Sequence, residues 1–235
     1  MKNDGRPSPL ESSVSEREPL IREPAFNAPW PALALVVLIV GSYVVQRLAG
    51  SQDQIIATYG FVAADLDSGR LFTLIAHQFL HGGWPHVGMN AVMAMAFGPP
   101  VSRLMGEDAL GAGTLLVFYL ICGACGGLAF AVMYPHDQLH QLIGASGAVS
   151  GLMGAAARLL HRPGTVAPLL HPSVVGFSAV WVVLNVALGF IGFAPGMGQV
   201  SIAWQAHLGG FFAGLLLIGP IARFLPGVRT KLIAH

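Results

Sequence analysis

Charge is what this sequence has least of. Asp, Glu, Lys and Arg make up 10% of its 235 residues, against roughly 25% in an ordinary soluble domain. The acids also stop early: the last is Asp137, and none falls inside an apolar run. That absence excludes several membrane chemistries together. No carboxylate is available for an aspartyl intramembrane protease, none completes a Ser-His-Asp triad, and none serves as the relay of a proton-coupled transporter. No H-E-x-x-H motif is present for a metalloprotease. A net charge of +1 leaves no basic footprint for nucleic acid. Cysteine is scarce as well. Cys122 and Cys125 form a C-x-x-C inside "YLICGACGGLAFAVMY". The pair reads first as small buried hydrophobes, with redox or metal chemistry as the alternative, and no further cysteine could complete a zinc site. Neither a metal nor a cofactor is expected.

What the chain has in abundance is apolar residues, 54% of the total. A hydrocarbon core about 30 Å thick takes roughly 20 mainly apolar residues per helix. Six spans can be read, at Trp30–Val45, His86–Leu104, Gly111–Tyr134, Gly144–Leu160, Val174–Phe193 and Ser201–Phe224. The expected fold is therefore all-α, a polytopic bundle of six transmembrane helices in one domain over residues 30–225, with the lipid bilayer as its surroundings. Residues 1–29 are polar, proline-rich and mixed in charge. They read as a disordered tail rather than a signal peptide. Residues 226–235 form a short second tail. The connection 46–85 mixes polar and apolar residues and is expected to lie in or on the interface.

Lysine and arginine set the orientation. Lys2, Arg6, Arg17, Arg22, Arg103, Arg158, Arg162, Arg223, Arg229 and Lys231 all fall on one side of a six-span chain, and only Arg47 and Arg70 fall outside. Both termini are thus expected in the cytoplasm. Even-numbered spans then begin at the outer surface. At 1.5 Å per residue, His86, Ser146 and His207 each come within roughly 10 Å of that surface, in one leaflet.

These residues make a parts list. In "LIGASGAVSGLMGA", residues 142–155, Ser146 and Ser150 are the only polar side chains. A serine hydroxyl is a weak nucleophile until a neighbouring base takes its proton, and the neutral imidazole of His207 suits that task. Acyl transfer also needs donors aimed at a developing oxyanion. His86 and Asn90 stand at i and i+4, on one helix face. Close approach of the two helices requires small residues at four-residue spacing. Gly147 and Gly151 supply them on span four and Gly210 and Gly214 on span six, with Gly144 just before Ser146.

With these motifs the sequence resembles the rhomboid intramembrane serine proteases. "GASG" at 144–147 is similar to the family's nucleophile motif, "AHLGGFFAG" at 206–214 to its histidine helix, and "FLHGGWPHVGMN" at 79–90 to its H-x-x-x-N region. The resemblance implies Ser146 as nucleophile and His207 as general base and acid. It implies an oxyanion hole from His86, Asn90 and the Ser146 backbone N–H. It also implies a partly membrane-embedded first loop at 46–85, and a gate formed by span five and loop 194–200. The expected substrates are transmembrane helices, cut near their outer ends, and the expected location is the inner membrane if the source is bacterial. Two departures stand out. Many members of that family carry an aromatic residue four after the serine, stacked on the histidine, where this chain has Ser150; orientation of His207 then comes from elsewhere. The first loop of many members has Trp-Arg, where here Gly69 precedes Arg70. Two non-enzymatic alternatives are a rhomboid-like protein that binds transmembrane clients without cutting them, and a small-solute channel. The first would be expected to lack Ser146 or His207, and the second to show an internal repeat.

Overall fold

The computed structural model describes residues 28–162, 164–194, 198–199 and 203–225. The expected N-terminal tail, but for its last two residues, the C-terminal tail 226–235 and part of the 194–200 loop lie outside the described residues. Among the described residues eight α-helices follow in order: α1 (Trp30–Leu48), α2 (Gln52–Tyr59), α3 (Thr73–Ala76), α4 (Trp84–Met105), α5 (Ala109–Met133), α6 (Ser146–Ala157), α7 (Pro172–Ile191) and α8 (Trp204–Phe224). Proline in the first turn starts α1, α4 and α7, where its missing N–H costs nothing. The Asp108 carboxylate accepts from the Gly111 N–H at 2.7 Å and caps α5. Among the described residues the only paired strands are two-residue pieces, Phe193–Ala194 against Gly198–Gln199.

The six long helices match the expected spans in place, though not all in length or apolarity. Four helices, α1, α5, α7 and α8, are long and apolar enough to cross a membrane. The 22-residue α4 is long enough, but His86, Asn90, Pro99, Pro100 and Arg103 dilute its apolarity. With 12 residues, α6 is about 18 Å long, well short of a hydrocarbon core of about 30 Å. Span four was read as 17 residues. It stops at Ala157, where the Arg158 and Leu159 N–H groups turn to the carbonyls three residues back and the Arg158 carbonyl accepts from the Ala167 N–H at 2.8 Å. The Arg158 side chain also donates through Nε to Ala167 O at 2.8 Å and through Nη1 to Leu215 O at 3.0 Å.

The shortest of the six is the most enclosed. Every residue of α6 from Gly147 to Ala157 is buried, packed against α4, α5 and above all α8. Glycine makes the α6–α8 contact possible. A Cβ at Gly210 would stand 1.9 Å from the Gly147 carbonyl oxygen, and one at Gly214 1.9 Å from that of Gly151. Cys122 on α5 fills the space against Gly151 on the other side; both cysteines are free thiols. Gly144, grouped in sequence with the helix-packing glycines, has a different task. It lies ahead of α6 with φ +119°, a conformation that side-chain-bearing residues rarely adopt.

The first loop is a folded unit. The buried Asp65 carboxylate accepts from Thr73 Oγ1 at 2.9 Å and from the Val62 N–H at 3.2 Å, and it pairs with Arg70 at 3.5 Å. Arg70 also donates to Thr58 O at 2.6 Å. The loop then grips the chain that precedes α6. Phe61 and Leu142 exchange backbone hydrogen bonds of 3.0 and 2.7 Å, and the Gly144 N–H donates to His77 O at 2.9 Å. The entry to Ser146 is thus fixed from the first loop, through backbone groups that no side-chain pattern encodes.

Candidate active site

Ser146 is the first residue of α6. The N–H groups of a helix's first turn have no intrahelical acceptor, and the helix dipole puts partial positive charge there. The serine hydroxyl therefore sits where negative charge is favoured. His207 lies in the first turn of α8, a helix brought against α6 by the glycine contacts above. Its Nε2 stands 2.9 Å from Ser146 Oγ. Both residues are half-buried, which leaves the pair an open side.

The other face of the imidazole meets a residue that the sequence reading passed over. His207 Nδ1 is 2.8 Å from the side-chain oxygen of Asn185 on α7. The Asn185 amide nitrogen donates to Trp204 O at 2.9 Å. Asn185 is one of only two buried residues on α7, with Val174. Its signal in the sequence was small: one amide in a largely apolar span.

His86 reaches the same spot from α4. The Gly82 N–H donates to its Nδ1 at 3.3 Å, so a neutral His86 carries its proton on Nε2. That nitrogen lies against Gly144, two residues before Ser146. A Cβ at Gly144 would stand 2.7 Å from His86 Nε2 and 3.7 Å from Ser146 Oγ, so the two atoms flank one small space that only glycine leaves open. Asn90 is buried one turn further along α4, and its amide donates back to His86 O at 3.0 Å. The structure thus brings Ser146, His207 and His86 together; the described bond of Asn90 ties it to the His86 backbone rather than to Ser146. Ser150 is buried within α6.

His77, His81, His136 and His140, outside the long helices, divide into two kinds. His77 and His81 are buried. His77 Nδ1 bonds to Thr73 O at 2.8 Å, and the His81 ring packs edge-on against Tyr43 and His86. His136 and His140 are exposed and bond to Asp67 and Asp137. The backbone N–H of Leu139, with help from His140, holds the Asp137 carboxyl below the usual carboxylate range. Among the described residues no group of three or more His, Cys, Asp or Glu side chains is placed to hold a metal ion.

A serine hydroxyl with an imidazole at hydrogen-bond distance, at a helix N-terminus, has the makings of acyl-transfer chemistry. The family model described as the rhomboid domain matches residues 68–224. RHOMBOID-like protein 5 of Arabidopsis thaliana is 29% identical over 152 residues, 65% of this chain and 44% of that protein. The putative rhomboid protease YdcA of Bacillus subtilis (strain 168) is 27% identical over 150 residues, 64% of this chain and 67% of that one. The rhomboid protease GluP of the same organism is 30% identical over 151 residues, 63% of this chain and 26% of that one. The match spans less than half of the plant protein.

Proposed function

The chain belongs to the rhomboid family, whose domain its residues 68–224 match, and on that premise we propose that it is an intramembrane serine endopeptidase. The observation that carries this reading is the 2.9 Å contact between His207 Nε2 and Ser146 Oγ. In the proposed reaction, Ser146 Oγ attacks the scissile carbonyl carbon while His207 Nε2 takes the hydroxyl proton. The carbonyl oxygen, now negative, is met by the His86 Nε2–H, the Asn90 amide and the Ser146 backbone N–H, with the α6 dipole behind them. His207 returns the proton to the leaving amine, the C–N bond breaks, and Ser146 holds the acyl group as an ester. Water, deprotonated by the same histidine, then hydrolyses that ester and frees the serine.

The substrates of this reading are transmembrane helices, cut near their outer ends. A helical peptide bond in lipid is protected by its own backbone hydrogen bonds, so the segment must unwind before attack. The short α6 supports a nucleophile set below the membrane surface but within reach of water. Six spans with both termini in the cytoplasm complete the proposal. Arg158 packs against Gly219 near the end of α8, and the start of α1 is tied to the α4–α5 junction by the Trp30 indole donating to Glu107 O. Arg158 lies near Arg223, and the positive-inside rule favours the cytoplasmic side for the end that carries them. Substrates are proposed to pass by α7, which buries fewer residues than any other long helix.

The test is cleavage of a reporter transmembrane segment by the full chain in proteoliposomes. Parent protein is expected to cut it, and Ser146→Ala and His207→Ala to leave it whole. Reporter bound but uncut by the parent would support the client-binding alternative instead.

A further inference from the structure

The sequence offers no acid beyond Asp137 to hold His207 in place, and the structure fills that position with an amide. We infer that Asn185 is a positioning residue that fixes the proton of His207 on Nδ1 and so makes its Nε2 a base toward Ser146; the inference rests on the proteolytic reading above. The argument runs through hydrogen-bond polarity alone. The Trp204 carbonyl only accepts. The end of the Asn185 amide that faces it at 2.9 Å must therefore be the NH2 group, since the opposite orientation would set two acceptor oxygens against each other. The amide oxygen is then the atom 2.8 Å from His207 Nδ1, and it also only accepts. Nδ1 must be the donor and carry the hydrogen. A neutral imidazole has one N–H, so Nε2 keeps its lone pair, aimed at Ser146 Oγ 2.9 Å away. One backbone carbonyl thus orients an amide, the amide selects a tautomer, and the tautomer decides whether the serine has a base.

The packing holds this relay in place. Trp204, which supplies the carbonyl, closes its ring over Gly189, one turn from Asn185 on α7; a Cβ there would stand 2.4 Å from the indole. Trp204 also stacks against Phe190 at 6.2 Å between ring centres. The α7–α8 contact is therefore tight at the level of the amide, although most of α7 faces outward. A neutral imidazole in water favours its proton on Nε2, the form with no lone pair for Ser146. Asn185 inverts that preference without introducing a buried charge, which a carboxylate would have done at a cost in desolvation.

The experiment has two arms. The first is nitrogen-15 NMR of histidine-labelled full-length protein in micelles, above the pH at which His207 ionises, with its signal identified by its loss in His207→Gln. The parent is expected to show a protonated Nδ1 and an unprotonated Nε2. The second is steady-state cleavage by Asn185→Leu, which is close in size but cannot accept a hydrogen bond. Its kcat is expected to fall roughly 10- to 100-fold, with KM within about twofold of the parent, and the His207 signal to shift toward the Nε2–H form. An Nε2–H tautomer in the parent overturns the inference, as does parent kcat in Asn185→Leu. A change confined to KM or thermal stability would reduce Asn185 to a packing residue and overturn it too. If Asn185→Leu fails to fold, the parent spectrum decides alone. Full cleavage by Ser146→Ala would sink the proteolytic reading and leave the tautomer result standing by itself.

Discussion

Replacing Gly210 with alanine tests how closely the proposed dyad depends on helix contact. The added Cβ would stand 1.9 Å from the Gly147 carbonyl oxygen and 2.7 Å from its carbon. Both are backbone atoms, so no side chain can swing aside. Ordinary contact begins near 3.4 Å, so α6 and α8 must separate by about 1.5 Å at this level. Gly147 adjoins Ser146, and Gly210 is three residues from His207. A separation of that size carries the 2.9 Å Ser146–His207 contact beyond hydrogen-bond reach. A misplacement of about 1 Å at a reacting group costs on the order of 10²-fold in rate, and overpacking costs about 1–3 kcal/mol in stability. Gly113→Ala is the control, since a Cβ there meets nothing within 4 Å; an exposed helical Gly→Ala change is neutral or stabilising by about 0.5–1 kcal/mol. The assay is reporter cleavage in proteoliposomes alongside thermal unfolding in detergent. Gly210→Ala with the activity and melting temperature of the parent would refute the reasoning, because the contact could not then be as close as the structure has it.

Two further outcomes are expected. Removing an oxyanion donor costs on the order of 10²–10³ in turnover, so His86→Ala is expected to lower kcat far more than it raises KM, and Asn90→Ala to do the same to a smaller extent because donors partly substitute for one another. A change in KM alone would make either residue a substrate contact, and full activity in the double variant would leave the oxyanion role unsupported. Cleavage is expected to rise with pH through a single ionisation, that of His207, and then level off, since the base must be neutral to accept the Ser146 proton. Asn185 carries no charge, so no carboxylate titration is expected in kcat/KM against pH. A carboxylate-like limb persisting in every histidine variant would contradict the dyad.

The proposed nucleophile and base were legible because their signals are local. "GASG" and "AHLGGFFAG" each pair a reactive side chain with the glycines that let its helix approach another, and the span count put both at one depth. Asn185 was not legible, because its meaning lies in a contact between α7 and α8 that neither helix encodes alone. The one hint was a lone amide in span five, in a chain with no acid left to orient His207. The role of Gly144 was misread for a similar reason: adjacency to the motif suggested helix packing, while the structure uses its φ of +119° to bring the chain past the His86 ring. Span four was read as Gly144–Leu160 while α6 runs Ser146–Ala157, because hydropathy does not see the backbone turn at Arg158, whose carbonyl accepts from the Ala167 N–H. The Asp65–Arg70–Thr73 cluster was hidden in a stretch whose mixed polarity spoke only of an interface.

The central claim is that Ser146 is a nucleophile activated by His207. It is tested most directly by labelling the detergent-solubilised full chain with a fluorophosphonate probe, which reacts covalently with an activated serine. Parent protein and Ser150→Ala are expected to label and to cleave the reporter, while Ser146→Ala, folded to the same melting temperature, does neither. Labelling or cleavage by Ser146→Ala at the parent level would contradict the account.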